Sequence, residues 1–174
     1  MKKNNFLFKI ILTSILVALN VIMERFLSYS VWNLSIGFSF ITIGFAAVFL
    51  GVPYAVIVGG LGDIIGAVLF PFGPYFVGFT ITNVLMAFTT AIFLYKKTNL
   101  LKISISVLIN KSLFSVILNS LWIAILYKGG ISDLWVVALS RIPTAVLTLF
   151  IEIIVLYLLF NEKSKFRTAI SKVI

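Results

Sequence analysis

The sequence contains no cysteine and no histidine. The first absence excludes disulfides, thiolate nucleophiles and thiolate metal sites. The second removes the commonest general base and the commonest metal ligand. Negative charge is scarce too. Five Asp and Glu stand against fourteen Lys and Arg in 174 residues, a formal charge of +9. The five carboxylates are scattered, and no GxxxxGK[ST] run is present to cradle a nucleotide phosphate. No catalytic residue, metal ion or cofactor is therefore expected, and an enzyme is not the reading these residues favour.

Apolar residues are what the chain has in excess: 61% are hydrophobic and 11% charged. Soluble domains run at about 45–50% and about 25%. A single soluble core of this size could not hide so much apolar surface, so the solvent for most of the chain is lipid. In a soluble protein the basic excess would suggest nucleic acid. In a membrane protein it sorts to the cytoplasmic ends of spans, so lipid and not nucleic acid is the expected environment.

A bilayer-crossing helix needs about 20 mainly apolar residues. Six stretches qualify, at about 8–27, 36–51, 53–70, 75–95, 104–127 and 134–160, and the loops between them are too short for a second domain. The expected fold is all-α: one integral membrane domain, 1–174, of six transmembrane helices. Lys2-Lys3 before an apolar run imitates a signal peptide, but no small-x-small cleavage site follows, so the first stretch reads as a retained helix. Gly51-Val52-Pro53, the Pro71-to-Pro74 loop and Gly129-Gly130 supply the breaks.

With the N-terminus inside, Lys2, Lys3, Lys9, Lys96, Lys97, Lys102, Lys163, Lys165, Arg167 and Lys172 all fall on the cytoplasmic side. Only Arg25 and Lys128 lie near the outer ends. The positive-inside rule then places both termini in the cytoplasm.

Polar groups inside spans are costly, and they mark function or face the bundle interior. Arg25 and Arg141, Asn83 and Asn119, Thr80 and Thr82, and the rings of Tyr75, Phe76, Phe79 and Trp122 all collect in the outer half. Asp63, nearer the midplane, is the one carboxylate read at a similar level. Arg offers a planar fork suited to carboxylate or phosphate. Aromatic walls with carboxamides suit a flat heterocycle. These residues imply a flat, polar, anionic ligand arriving from outside.

Plainer roles exist for several of them. Arg25 is within snorkelling reach of the outer headgroups. Trp32, Trp122, Tyr127 and Trp135 fit an interfacial aromatic belt, and Asn83 and Asn119 could join helices. Lys111 and Glu152, each roughly 10–12 Å deep by helical rise, read as a mutually neutralising structural pair. Gly51, Ala55, Gly59, Asp63 and Ala67 form a small-residue ridge that lets a neighbouring helix approach closely. Asp63 within it is open to packing, to pairing with an Arg or to ligand contact.

Several segments resemble the substrate-binding S components of energy-coupling factor (ECF) vitamin transporters. They are Arg25-Phe26-Leu27-Ser28, Ile36-Gly37-Phe38-Ser39-Phe40 and Gly62-Asp63-Ile64-Ile65-Gly66-Ala67. Leu69-Phe70-Pro71 with Gly73, Tyr75-Phe76-Val77-Gly78-Phe79-Thr80, Leu118-Asn119-Ser120-Leu121-Trp122 and Arg141 are similar to the folate-specific branch. The resemblance implies a six-helix S component of a bacterial plasma membrane, with an outward-facing vitamin pocket. It would work with a membrane T component and two cytoplasmic ATPases. It implies ligand contacts at Arg25, Phe40, Tyr75, Phe76, Phe79, Asn83, Asn119, Trp122 and Arg141. Family members dock the T component through an Ala-x-x-x-Ala step in the first helix, and the matching residues here are Ser14 and Ala18. Folate is the leading ligand, because its pterin is flat and its glutamate carries two carboxylates. Riboflavin or pantothenate, a small membrane enzyme and a purely structural subunit are the competing readings.

Overall fold

The structure, a computed structural model, describes residues 2–31, 34–71, 73–127 and 130–171. Trp32, Phe72, Lys128, Gly129 and Lys172, all used in the sequence reading, lie outside the described residues. Helix α1 covers Lys2–Arg25 and contains no Gly or Pro to interrupt it. A short antiparallel hairpin follows, with β1 (Tyr29–Val31) paired to β2 (Leu34–Ile36) in the register Tyr29↔Ile36, Ser30↔Ser35 and Val31↔Leu34. Apolar residues alternate with serine in both strands, the period of two that suits extended chain.

This hairpin is an addition to the helical architecture, and it changes the second span. Ile36, expected to open a helix, is the last residue of β2. Helix α2 runs only over Ser39–Leu50, its last five residues in π geometry. At 1.5 Å per residue it is ~18 Å long, well short of the hydrocarbon core. It stops at Gly51, whose φ of 99° is a left-handed conformation that side chains disfavour. Pro53 then sits in the first turn of α3, where its missing N–H costs nothing.

The remaining helices are α3 (Val52–Leu69), α4 (Val77–Leu94), α5 (Leu100–Tyr127), α6 (Leu134–Phe160) and α7 (Lys165–Ser171). With α1, the helices α3 to α6 give five that are long and apolar enough to cross a membrane. Asn99 caps α5 by accepting the Lys102 N–H at 2.9 Å. Residues Asn110–Leu118 in the middle of α5 are π-helical. The basic tail is ordered as α7: Arg167 donates to the Phe160 carbonyl at 3.1 Å and to the Lys96 carbonyl at 2.7 Å.

The distribution of side chains is that of a lipid-embedded bundle. Trp135, Val68, Leu101 and Phe150 stand exposed on the outside, while Asn20, Thr42, Asp63, Thr82, Ser106 and Asn110 are buried. Hydrocarbon offers polar groups no hydrogen bonds, so they must turn inward. The Thr42 hydroxyl, for example, donates to Asn20 Oδ1 at 2.6 Å and ties α2 to α1.

Helix α3 packs between α1 and α4, and glycines make both approaches possible. A Cβ at Gly59 would lie 2.9 Å from Ala87 Cβ and 3.1 Å from the Asn83 carbonyl oxygen. On the α1 side, Gly62 fits around the Asn20 side chain. The small-residue ridge of the sequence thus faces α4, and the neighbouring Gly62-Gly66 ridge faces α1.

The obstruction at Gly59 is partly backbone and cannot rotate away. Gly59→Val should lower the melting temperature of the detergent-solubilised protein, at a cost of about 1–3 kcal/mol. Gly37→Ala is the control. A Cβ there meets nothing nearer than 3.9 Å, and its melting curve should overlay that of the unmodified protein.

Candidate ligand-binding site

The helices enclose a cavity of about 450 Å³, within the ~300–1,000 Å³ range of small-molecule sites. Its mouth lies among helix ends and loops, at Ser28, Gly37, Pro71, Gly73, Pro74, Tyr75 and Tyr127. Its deep end reaches Met86, Thr90, Asn110, Lys111 and Glu152 in the middle of α4, α5 and α6.

Of the nine residues singled out for ligand contact, Arg25, Phe40, Tyr75, Phe76, Phe79, Asn83, Asn119 and Arg141 line this cavity. Trp122 does not line it. It stands behind the wall, with its ring 5.6 Å from that of Phe76 and its Nε1–H donating to Thr82 Oγ1 at 3.1 Å. Gly78 makes room for this stack, since a Cβ there would overlap both rings. Phe76 also meets Phe79 edge-on at 6.1 Å. Trp122 therefore holds an aromatic wall in place and is not a belt residue, whereas Trp135 is 69% exposed, as a belt residue would be. Ser14 and Ala18 lie far from the cavity on the exposed face of α1, where the Ser14 hydroxyl is satisfied by the Ile10 carbonyl at 3.0 Å.

Arg25 is folded against α3. A Cβ at Gly66 would sit 2.8 Å from its Nε, so the glycine gives the guanidinium its berth. That placement turns Arg25 toward the cavity and away from a snorkelling path to the headgroups. Two carboxylates share the region. Glu24 and Asp63 both line the cavity, and Glu24 lies within electrostatic reach of Asp63 and Arg25. This corrects the sequence reading, which placed only Asp63 near the level of the two arginines. Glu24 adjoins Arg25 in sequence, but position along α1 alone does not bring it to Asp63. Asp63 is also engaged in a chain: Thr80 Oγ1 donates to Asp63 Oδ2 at 2.5 Å, and Tyr75 OH bonds Thr80 Oγ1 at 2.9 Å. Because the Thr80 hydroxyl hydrogen is committed to Asp63, the Tyr75 hydroxyl is the donor of the second bond.

Arg141 is the cation with the clearest unmet demand. Its Nε is buried and has no hydrogen-bond partner among the described residues, and Asn119 Oδ1 is in the same condition. This donor and this acceptor stand unused in the cavity wall.

The π segment of α5 explains how the polar residues of that helix share a face. In an α-helix, positions 110 and 119 are nine residues apart and point roughly 180° away from each other. With i→i+5 bonding, about 4.4 residues complete a turn, and the two come to nearly the same side. Asn110, Lys111, Ser115 and Asn119 all line the cavity as a result. At the deep end, Lys111 Nζ and Glu152 Oε1 form an ion pair at 2.5 Å, with side chains 16% and 12% exposed. The pair anticipated from sequence is present. It sits deeper than anticipated, because α5 begins at Leu100 and Lys111 lies ~16 Å along it.

A family model described as "ECF-type riboflavin transporter, S component" matches residues 4–165. The chain belongs to the ECF-type transporter S components. Among curated proteins, this S component is 32% identical over 142 residues to a folate transporter FolT of Clostridium novyi (strain NT), covering 81% of each chain. A FolT of Leuconostoc mesenteroides is 29% identical over 119 residues, 67% of this chain and 64% of its own. A crystal structure of FolT bound with folic acid superposes with a TM-score of 0.80 at 28% identity, covering 91% of this chain and 95% of that one. These relatives are transport proteins, which supports a binding role for the S component over a catalytic one.

The Lys111–Glu152 pair generates a stability prediction. Removing one partner of a buried pair leaves the other charge uncompensated, at a cost of about 3–5 kcal/mol. Glu152→Gln should accordingly lower the melting temperature markedly. The double variant Lys111→Met/Glu152→Leu should recover most of the loss, as differential scanning fluorimetry in detergent would show.

Proposed function

We propose that this S component binds folate, through an outward-facing pocket, for uptake across a bacterial plasma membrane. The observation that carries the reading is Arg141: a half-buried side chain whose buried Nε donor is unused, in the wall of an aromatic-lined cavity. A desolvated guanidinium matches a carboxylate in charge and geometry. Folate brings two carboxylates, and its flat aromatic units, pterin and p-aminobenzoyl, suit a cavity walled by the rings of Phe76, Phe79, Phe40 and Tyr75. The FolT relatives and the folic acid-bound structure support the same ligand. The description of the matching family model favours riboflavin as the second reading, yet riboflavin carries no carboxylate for Arg141.

The ligand-contact set is then Arg25, Phe40, Tyr75, Phe76, Phe79, Asn83, Asn119 and Arg141, with Trp122 acting through Phe76. Six helices cross or enter the membrane with both termini cytoplasmic, α2 reaching only part-way, as the basic residues of the cytoplasmic ends require. The chain carries no nucleotide-binding run, so a T component and two ATPases supply the energy. The exposed Ser14–Ala18 step on α1 is where the T component docks, since two small side chains allow close helix approach.

Isothermal titration of the purified protein should show folic acid binding tighter than ~1 µM. Riboflavin should bind far more weakly or not at all. Arg141→Ala should weaken folic acid by at least ~30-fold, the counterpart of about 2 kcal/mol for a truncated buried charge contact. Binding of riboflavin in preference to folic acid, or indifference to Arg141→Ala, would overturn the reading. Ala18→Leu should leave folic acid affinity unchanged while abolishing copurification with the T component and uptake into cells.

A further inference from the structure

Asn110 opens the π segment of α5 and is only 8% exposed. Its Nδ2 donates to Thr90 Oγ1 at 2.9 Å and lies 3.4 Å from the Met86 carbonyl oxygen. A carbonyl can only accept, so the nitrogen side of the amide is bound to face α4. The opposite atom, Oδ1, is buried and has no hydrogen-bond partner among the described residues. Asn110, Thr90 and Met86 all line the deep end of the cavity. The deep end therefore holds an acceptor whose orientation is locked and whose lone pairs are unused.

We propose that Asn110 Oδ1 receives an N–H from the heterocyclic end of the ligand and so sets which way round the ligand enters. The inference rests on the folate reading and adds a direction to it. Lys111 and Glu152 stand beside Asn110 at the same end. Their ion pair engages Glu152 Oε1, which leaves the second carboxylate oxygen as a further acceptor. An end rich in fixed acceptors selects a ligand edge rich in donors, such as the amino and ring N–H groups of an aminopyrimidinone. It offers a carboxylate no free cation, since Lys111 is paired with Glu152, whereas Arg141 stands eleven residues earlier on α6. At 1.5 Å per residue, Arg141 and Glu152 are ~16 Å apart along the helix. An extended ligand with donors at one end and carboxylates at the other spans that distance in one orientation only.

The experiment compares folic acid with p-aminobenzoylglutamate, its carboxylate half without the heterocycle, by calorimetric titration. Asn110→Leu should weaken folic acid ~10- to 100-fold, the range expected when a buried hydrogen bond is lost, and should leave p-aminobenzoylglutamate unchanged. Thr90→Val retains Asn110 but releases its amide, and should produce a smaller loss confined to folic acid. Melting temperatures of both variants confirm that they are folded. Equal losses for the two ligands would make Asn110 a structural residue and overturn the proposal, as would unchanged folic acid affinity in both variants. A wild-type protein that fails to bind folic acid at all removes the folate reading and this inference with it. Wild-type binding with unaffected variants removes the inference alone.

Discussion

Hydrocarbon cannot hydrogen-bond, and that constraint organises the molecule. Every polar group within the membrane must find a partner inside the bundle or be left without one at a cost of several kcal/mol. Most succeed. Thr42 reaches Asn20, Thr80 reaches Asp63, Trp122 reaches Thr82 and Lys111 reaches Glu152. Among the described residues Ser106 Oγ, Ser120 Oγ, Arg141 Nε, Asn119 Oδ1 and Asn110 Oδ1 do not, and the last three belong to residues that line one cavity. Unused hydrogen-bonding capacity in such a setting is costly unless something else is meant to use it.

The cavity exists because some helices come unusually close and others are held apart. Glycines 59, 62 and 66 let α3 press against α4 and α1, which consolidates one side of the bundle. Across the cavity, α5 and α6 share an apolar cluster that includes Ile103, Val107, Leu156 and Phe160, but the face they turn to the cavity carries charges and amides. The short α2 does not fill the gap along the full depth of the membrane, and the hairpin before it lies at the rim. Close packing on one side and polar, π-distorted helix on the other leave the space between them.

Much of this was legible in the sequence, and what escaped did so for physical reasons. Five long helices follow directly from apolar runs, and Arg141 announces itself by sitting too deep to snorkel. The Lys111–Glu152 pair follows from two opposite charges at matching depth on adjacent antiparallel helices. Glu24 escaped because one-dimensional depth places it at the end of α1, whereas its proximity to Asp63 is created by the tight α1–α3 contact. The π segment has no local signature, since residues 110–118 contain neither Gly nor Pro. Its hydrogen-bond register is set by packing against α4 and α6. Asn110 could have been suspected as a carboxamide beside a lysine in an apolar run, but the orientation of its amide exists only once Thr90 and Met86 are in place. The paired strands are six residues of weak alternation, too short to mark a hairpin between two apolar runs, and they take Ile36 from the start of the second.

One scaffold whose family model speaks of riboflavin and whose relatives carry folate must choose its ligand by side chains and not by fold. The cavity shows how few are needed. Its lining carries three cations, Arg25, Lys111 and Arg141, and three carboxylates, Glu24, Asp63 and Glu152, so the site as a whole is nearly neutral and does not attract anions by bulk charge. Discrimination must then come from where the charges sit. Lys111 is consumed by Glu152, and Arg25 stands with Glu24 and Asp63, so the cation left to act at the upper end is Arg141. A neutral flavin side chain would leave that guanidinium desolvated without a counter-charge, and a desolvated charge without a partner is among the most heavily penalised arrangements in a protein. On the folate reading proposed above, rejection of the neutral ligand would then contribute to specificity at Arg141 as much as attraction of the anionic one.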